Sequence, residues 1–360
     1  MEAWVSRIVA AAVLISVTVL TPLTASGDKS AAPADPALDP DVGESIIDAV
    51  ADDGRLWVLG DAHSVNYFAL ISFSTNGTDR RLEFPSGVVS LIKDGMHLWI
   101  LRARGTPGEY SLLEWQENAF ALLHSIRLAD AETPLALTAI AGRPTVVSNR
   151  AVYVLSESDG WITTRLQQPL GAEFHLGFTA VAASSSAKAL YAGFDLGEWG
   201  GDLKRIDLAT GAIDDVKEDA EPVGPVNAVI PTPADPDCVI VAVGLVHMRS
   251  SGRLHKVCGT EVSDILDRIS AIKQGLDDYD LAEAFFGLAT SGKGYWAVSN
   301  QALYHFSENA APSRVQLPEA TIWNGLIRST VDANVIVLLS GRNRRFSLSG
   351  YTPLVVPLHE

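Results

Sequence analysis

The chain has 360 residues, 47% of them hydrophobic and 8% aromatic, with 29 Gly, 18 Pro and no long Glu/Lys/Leu-rich heptads. That balance suits an all-β globular protein with a large core. Lys and Arg number 27 against 43 Asp and Glu, a formal charge of −16. A surface of that sign repels phosphate backbones and anionic lipids, which speaks against nucleic acid as a partner and leaves solubility, cations or basic partners as its uses.

Arg7 precedes an apolar run, Ile8 to Leu20, that is short for a bilayer span, and Thr24-Ala25-Ser26 supplies small residues for cleavage. Residues 1–26 therefore read as an export signal, and the mature chain is expected to be secreted or periplasmic, with no stable membrane insertion after cleavage. No Cys lies near that site to carry a lipid. Residues 27–43, with Asp35-Pro36 and Asp39-Pro40, read as a linker.

From 44 to 360 an apolar strand ending in a Ser, Asn, Asp or Gly turn recurs seven times, from Leu70-Ile71-Ser72-Phe73 before Ser74-Thr75-Asn76-Gly77 to Arg345-Phe346-Ser347-Leu348 before Ser349-Gly350. Each repeat divides into four strands, A to D from the inside outward. In the first they are Ser45 to Ala51, Arg55 to Gly60, Tyr67 to Phe73 and Arg80 to Phe84. Matching A-strand positions are Val50, Ile92, Ile140, Val181, Val229, Leu288 and Leu326, at spacings from 38 to 59 residues, and mostly small residues precede them. Small side chains suit inner strands that crowd around an axis.

In the fourth and fifth repeats, Gly193 to Ile206 lies over Gly244 to Val257 without a gap, with Gly193/Gly244, Gly201/Gly252 and Leu203/Leu254 identical. In the third and sixth, Val147-Ser148-Asn149-Arg150-Ala151-Val152-Tyr153 matches Val298-Ser299-Asn300-Gln301-Ala302-Leu303-Tyr304, placing Ser-Asn at a tight B–C turn. Seven such repeats predict radial closure with protected edges. Each repeat is continuous in sequence, so the termini exchange no strand, and residues 352 to 357 form the last D strand. The 59-residue spacing comes from Asp267 to Glu283, where Ile265, Leu266, Ile269 and Ile272 predict a short helix between the fifth and sixth repeats.

Cys238 and Cys258 stand at equal distances from Met248, as do Gly244 and Gly252, so a hairpin register that pairs the glycines also pairs the cysteines. An even count in an exported chain then predicts a cross-strand disulfide.

These repeats, with Tyr295-Trp296-Ala297-Val298-Ser299-Asn300-Gln301-Ala302-Leu303-Tyr304 the fullest, resemble those of secreted seven-bladed β-propellers of the bacterial sensor type. The resemblance implies seven four-stranded antiparallel blades. Two residues before the inner markers stand Asp48, Ser90, Thr138, Thr179, Asn227, Phe286 and Asn324, six of them polar and all at the expected channel. Propeller lactonases hold a metal with inner-strand carboxylate and Asn side chains, so Asp48, Asn227 and Asn324 are the residues to weigh for a divalent ion, although Asp48 is the lone carboxylate. Otherwise no cofactor is implied.

No nucleophile elbow, His-Glu-x-x-His, phosphate loop or Cys-x-x-Cys pair occurs. Recognition is therefore expected of the face carrying the B–C loops and D–A connections, which holds the irregular segments. Asp195, Glu198 and Trp199 in the fourth repeat and His247 and Arg249 in the fifth are its candidates. The expected function is a monomeric ligand- or protein-binding module, sensing or scaffolding. A metal-dependent hydrolase or lyase at the channel mouth is the alternative.

Overall fold

In a computed structural model the chain divides into Met1–Asp39 and Pro40–Glu360. The structure describes residues 44–357 apart from 53, 63–64, 73–86, 117–118, 159, 172–177, 233, 248, 268–281, 292–293, 308–309, 318–326, 333–334 and 341–353. The expected signal and linker, and with them the expected absence of strand exchange between the termini, fall outside the described residues. So do the first D strand at 80–84, most of the expected helix, and Asn324.

The described strands form seven antiparallel sheets in chain order. Sheet one holds β1 (Glu44–Asp52), β2 (Arg55–Ala62) and β3 (Val65–Ser72). Sheet two holds β4 (Val88–Asp94), β5 (His97–Ala103), β6 (Glu109–Gln116) and β7 (Ala119–Arg127). Sheet three holds β8 (Pro134–Ile140), β9 (Arg143–Ser148), β10 (Ala151–Leu155) and β11 (Trp161–Arg165). In sheet four β12 (Phe178–Ala183), β13 (Ala189–Asp195), β14 (Gly201–Asp207) and β15 (Ile213–Glu218) are followed by a fifth, two-residue strand, β16 (Glu221–Pro222). Sheet five holds β17 (Val226–Pro231), β18 (Cys238–His247), β19 (Arg249–Cys258) and β20 (Glu261–Asp267). Sheet six holds β21 (Phe285–Ser291), β22 (Gly294–Ser299), β23 (Ala302–Ser307) and β24 (Ala310–Gln316). Sheet seven holds β25 (Ile327–Asp332), β26 (Val335–Ser340) and β27 (Leu354–Pro357).

This is an all-β propeller, and the expected four-strand blade is met in sheets two, three, five and six and exceeded in sheet four. Among the described residues the first and last sheets have three strands each, so the seven copies of one four-stranded unit are found only in part. Sheet seven brings a second correction. β27 pairs directly with β26, so residues 354–357 are the third strand of this sheet and not the expected fourth. A third concerns Ile265 and Leu266, which belong to strand β20 and to no helix: β20 pairs with β19 through a bulge that takes in Ile265. No α-helix occurs among the described residues, whose only helical turn is the 3-10 segment Gly197–Trp199.

Second strands carry the longest apolar runs because both their faces are covered. In β5, Leu98 and Ile100 pack toward sheet one while Trp99 and Leu101 pack toward sheet three. The same division recurs along the chain, giving one apolar cluster in each seam between consecutive sheets. The last seam joins sheet seven to sheet one, where Val337 and Leu339 meet Ala51, Leu56 and Val58. Each fully buried Leu, Val or Phe of these seams contributes about 1.5–3 kcal/mol.

Six of the seven first strands open on a β-bulge, skipping Ile47, Val89, Leu135, Thr179, Asn227 and Phe286 in turn. An extra residue strengthens the local twist, which turns each inner strand toward the axis.

Candidate functional site

The inner strands enclose a cavity of about 460 Å³. Asp48, Ser90, Thr138, Thr179, Asn227 and Phe286 all line it, as the sequence predicts. They do not share one level, however. Thr179, Asn227 and Phe286 are bulged residues, whereas Asp48 and Ser90 follow their bulges by one position and Thr138 by three. Spacing along the chain cannot show where a bulge inserts.

The polar groups of this ring stitch neighbouring sheets together. Ser90 Oγ accepts the Leu137 N–H at 3.0 Å, Thr330 Oγ1 accepts the Ala51 N–H at 2.9 Å, and Thr179 donates to the Val226 carbonyl. Asn227, buried, donates both amide hydrogens, to the Gly244 carbonyl at 2.7 Å and the Phe285 carbonyl at 2.9 Å. Asp48 accepts the Ala49 N–H at 2.8 Å.

On the B–C face, the loops of sheets four and five differ from the rest. Cys238 and Cys258 are disulfide-bonded, with Cα atoms 4.3 Å apart, and the β18–β19 register pairs Gly244 with Gly252 as the sequence predicts. The gapless alignment of the two repeats fails by two residues. Leu203 pairs with Gly193 in sheet four, but Leu254 pairs with Ala242 in sheet five, so the second hairpin is one residue longer on each strand. Gly201 and Gly252 remain equivalent for a shared reason. A Cβ on Gly201 would stand 2.4 Å from the Gly224 carbonyl oxygen, and one on Gly252 would stand 2.7 Å from that of Glu283. Each is where the next sheet's D–A connection crosses.

Gly197–Trp199 caps the β13–β14 hairpin and lies against β18. Asp195 Oδ1 accepts the Gly197 N–H at 2.7 Å, Leu196 N–H donates to the Gly200 carbonyl at 2.9 Å, and positive φ at Gly197 and Gly200 reverses the chain. Trp199 is 83% exposed beside the exposed Glu198. His247 and Arg249 pair across the neighbouring hairpin tip, so the backbone gathers all five predicted residues onto two adjacent loops. Asn300 of sheet six braces that tip by donating to Ser250 Oγ at 2.9 Å.

Sequence reasoning missed two buried glutamates. Glu132 and Glu283, each in the connection leading to an inner strand, are almost wholly buried. Glu132 accepts from Ser148 Oγ, from Tyr153 Oη at 2.7 Å, from Arg165 Nη1 at 3.0 Å and from the Ala129 N–H at 3.1 Å. Glu283 accepts from Ser299 Oγ, from Tyr304 Oη at 2.6 Å and from Arg314 Nη2 at 3.1 Å. Beside them Asn149 and Asn300 accept the N–H groups of Thr133 and Ala284. Burial alone would raise the Glu132 carboxyl, but the bonds from Ser148, Tyr153, Arg165 and Ala129 together hold it below the usual carboxylate range. Burial, and then Glu132, push the Tyr153 hydroxyl up to about 12. The signal was present in the sequence: in both repeats the Glu precedes the Ser of the Ser-Asn turn by 16 residues. These hydrogen-bonded corners fix the B–C face in sheets three and six.

No protein-family model and no curated protein matches the chain. Among solved structures it is similar to virginiamycin B lyase from Staphylococcus aureus, with 12% identity and a TM-score of 0.51 over 84% of this chain and 92% of that one. Hydrazine synthase of Kuenenia stuttgartiensis matches at 12% identity and a TM-score of 0.52, over 88% and 96%. The expected likeness to a bacterial sensor is also found, in the extracellular domain of a B. thetaiotaomicron one component system, at 12% identity and a TM-score of 0.47 over 82% of this chain and 37% of that one. At such identities these likenesses show the fold alone.

Proposed function

We propose that the protein is a secreted or periplasmic binding propeller whose seven sheets serve as seven blades of one ring, acting as a monomer in sensing or scaffolding. Its ligand, a protein or small molecule, meets the face of the B–C loops and D–A connections. The observation that carries this reading is Trp199, a large aromatic exposed on a turn locked by the Asp195 and Gly200 hydrogen bonds. A turn whose backbone is already held in place loses little freedom on binding, and its exposed indole has an apolar body to bury. Glu198 beside it, and His247 and Arg249 paired on the adjacent hairpin tip, are the charged and hydrogen-bonding residues on these two loops. Export is supported by the signal-like residues 1–26 and by the disulfide, a bond of oxidising compartments.

The alternative, a metal-dependent hydrolase or lyase at the channel mouth, is weakened by the stitching duties of its residues. Asn227 spends both amide hydrogens on the backbone carbonyls of Gly244 and Phe285.

Glycan and peptide arrays probed with the wild-type protein and with Trp199→Ala test the reading. A hot-spot aromatic contributes about 2 kcal/mol or more, so Trp199→Ala should weaken binding by roughly 30-fold at unchanged thermal stability. Ligands that bind both proteins equally, or that protect only the A–B and C–D turns from labelling, would sink it. Sequencing the N-terminus of the exported chain tests cleavage after residues 24–26.

A further inference from the structure

We propose that Glu218, His255 and Asp264 bind one divalent transition-metal ion, with Zn²⁺ the best match, at the outer edge of the seam between sheets four and five. The fold brings them together from two blades. Glu218 ends β15, the fourth strand of sheet four, while the β19–β20 register sets His255 opposite Asp264 and Arg253 opposite Asp267 in sheet five. His255 and Asp264 pair in the uninterrupted register from the hairpin turn, and the bulge at Ile265 that follows sets Asp267, in place of Leu266, opposite Arg253.

One imidazole nitrogen of His255 and one carboxylate oxygen each of Glu218 and Asp264 lie within 4.8 Å of one another, near enough for small side-chain rotations to bring them to one ion. His255 is fully buried, its Nδ1 lies 2.9 Å from Asp264 Oδ1, and its Nε2 has no hydrogen-bond partner among the described residues. A buried imidazole with an unused nitrogen is a costly arrangement for packing alone.

The charges point to a divalent ion. Glu218, Asp264 and Asp267 carry three negative charges against the one positive charge of Arg253, whose guanidinium contacts Glu218 and lies 3.5 Å from Asp267. Arg253 would then orient the Glu218 carboxylate from behind. One nitrogen and two oxygen donors, with water as the fourth, suit Zn²⁺ and not the all-oxygen shells of Ca²⁺ or Mg²⁺. Both carboxylates reach solvent, the side chains of Glu218 and Asp264 being 23% and 43% exposed, which gives the ion a way in. The other group of this type, Asp235 with Cys238 and Cys258, has its sulfurs joined to each other.

The test is titration of the tag-free exported chain, stripped of metal, with Co²⁺ and then Zn²⁺, reading the visible cobalt bands and the stoichiometry. One ion per chain is expected, with Zn²⁺ displacing Co²⁺ and raising the melting temperature, and without competition from excess Mg²⁺. His255→Gln alters a buried group and is checked by circular dichroism. Asp264→Asn, at a part-exposed position, is the decisive variant and should lose affinity by at least about tenfold, the scale on which even partners of metal ligands act. Absence of stoichiometric binding, unchanged affinity in both Asp264→Asn and Glu218→Gln, or loss only in Asp48→Asn, which marks the central channel, would overturn the proposal.

Discussion

Sheets three and six turn their B–C corners on a buried glutamate, whereas sheets four and five turn theirs on long glycine-bearing hairpins. The first pair spends three polar side chains per corner to satisfy one carboxylate, and its turn is only Ser-Asn with one residue following. The second pair has no such anchor among the described residues. Its strands run on past the sheet, let the next connection cross at Gly201 or Gly252, and end in exposed tips. Rigidity and presentation are thus divided between neighbouring blades, with Asn300 joining the two kinds where it holds Ser250.

The largest effect expected comes from breaking a corner. Glu132→Ala and Glu283→Ala each leave a buried tyrosine hydroxyl and serine without their acceptor, and each should destabilise by about 3–5 kcal/mol in urea unfolding. Glu132→Ala should be the worse, because Ala129 N–H also loses its partner. Next comes the hairpin staple. Cys238→Ser with Cys258→Ser opens a link of 20 residues and should destabilise by roughly 3 kcal/mol or less, since the ten-pair register persists without it. Gly201→Ala and Gly252→Ala, which press a methyl onto backbone, should destabilise by about 1–3 kcal/mol, whereas Gly105→Ala, with open space, should change stability by under ~0.5 kcal/mol.

A subtler test asks whether the two glutamate corners are interchangeable. Arg165 stands opposite Ala151, but Arg314 stands opposite Tyr304, two residues along, and both reach the carboxylate. Arg165 is more than half exposed, so Arg165→Ala should destabilise by at most about 1 kcal/mol. Adding Thr163→Arg, opposite Tyr153, should recover that loss by copying sheet six.

The smallest effect is a pH dependence. An unfolded Glu takes its proton near pH ~4.3, and folded Glu132 takes it lower, so between the two values the unfolded chain binds more protons. The stability that Glu132 contributes is fully present above that range and is lost as pH falls through the folded value. The gap in unfolding free energy between wild type and Glu132→Gln should therefore narrow in acid; a gap independent of pH would contradict the assignment.

Much of this was legible in the sequence. Second strands such as Leu98 to Leu101 read as continuous apolar runs because both faces are covered, and symmetry about Met248 gave the pairing of Cys238 with Cys258. The Ser-Asn repeat marked the corners of sheets three and six, but the glutamates that close them lie 16 residues upstream, beyond the window in which a turn is read. The gapless overlay of Gly193 on Gly244 failed because two added residues keep every side chain on its face and leave the alternation undisturbed.

Local periodicity determined by itself that the chain makes repeated antiparallel sheets, since strand alternation and turn chemistry act over a few residues. Only the tertiary structure decided which repeat positions share a level, because each bulge shifts the register by one. It alone brought Glu218 to His255, whose strands belong to different sheets. It also made the polar residues of the ring into stitches, because the carbonyls and amides they bond belong to neighbouring strands, and no pattern within one strand specifies what its neighbour presents.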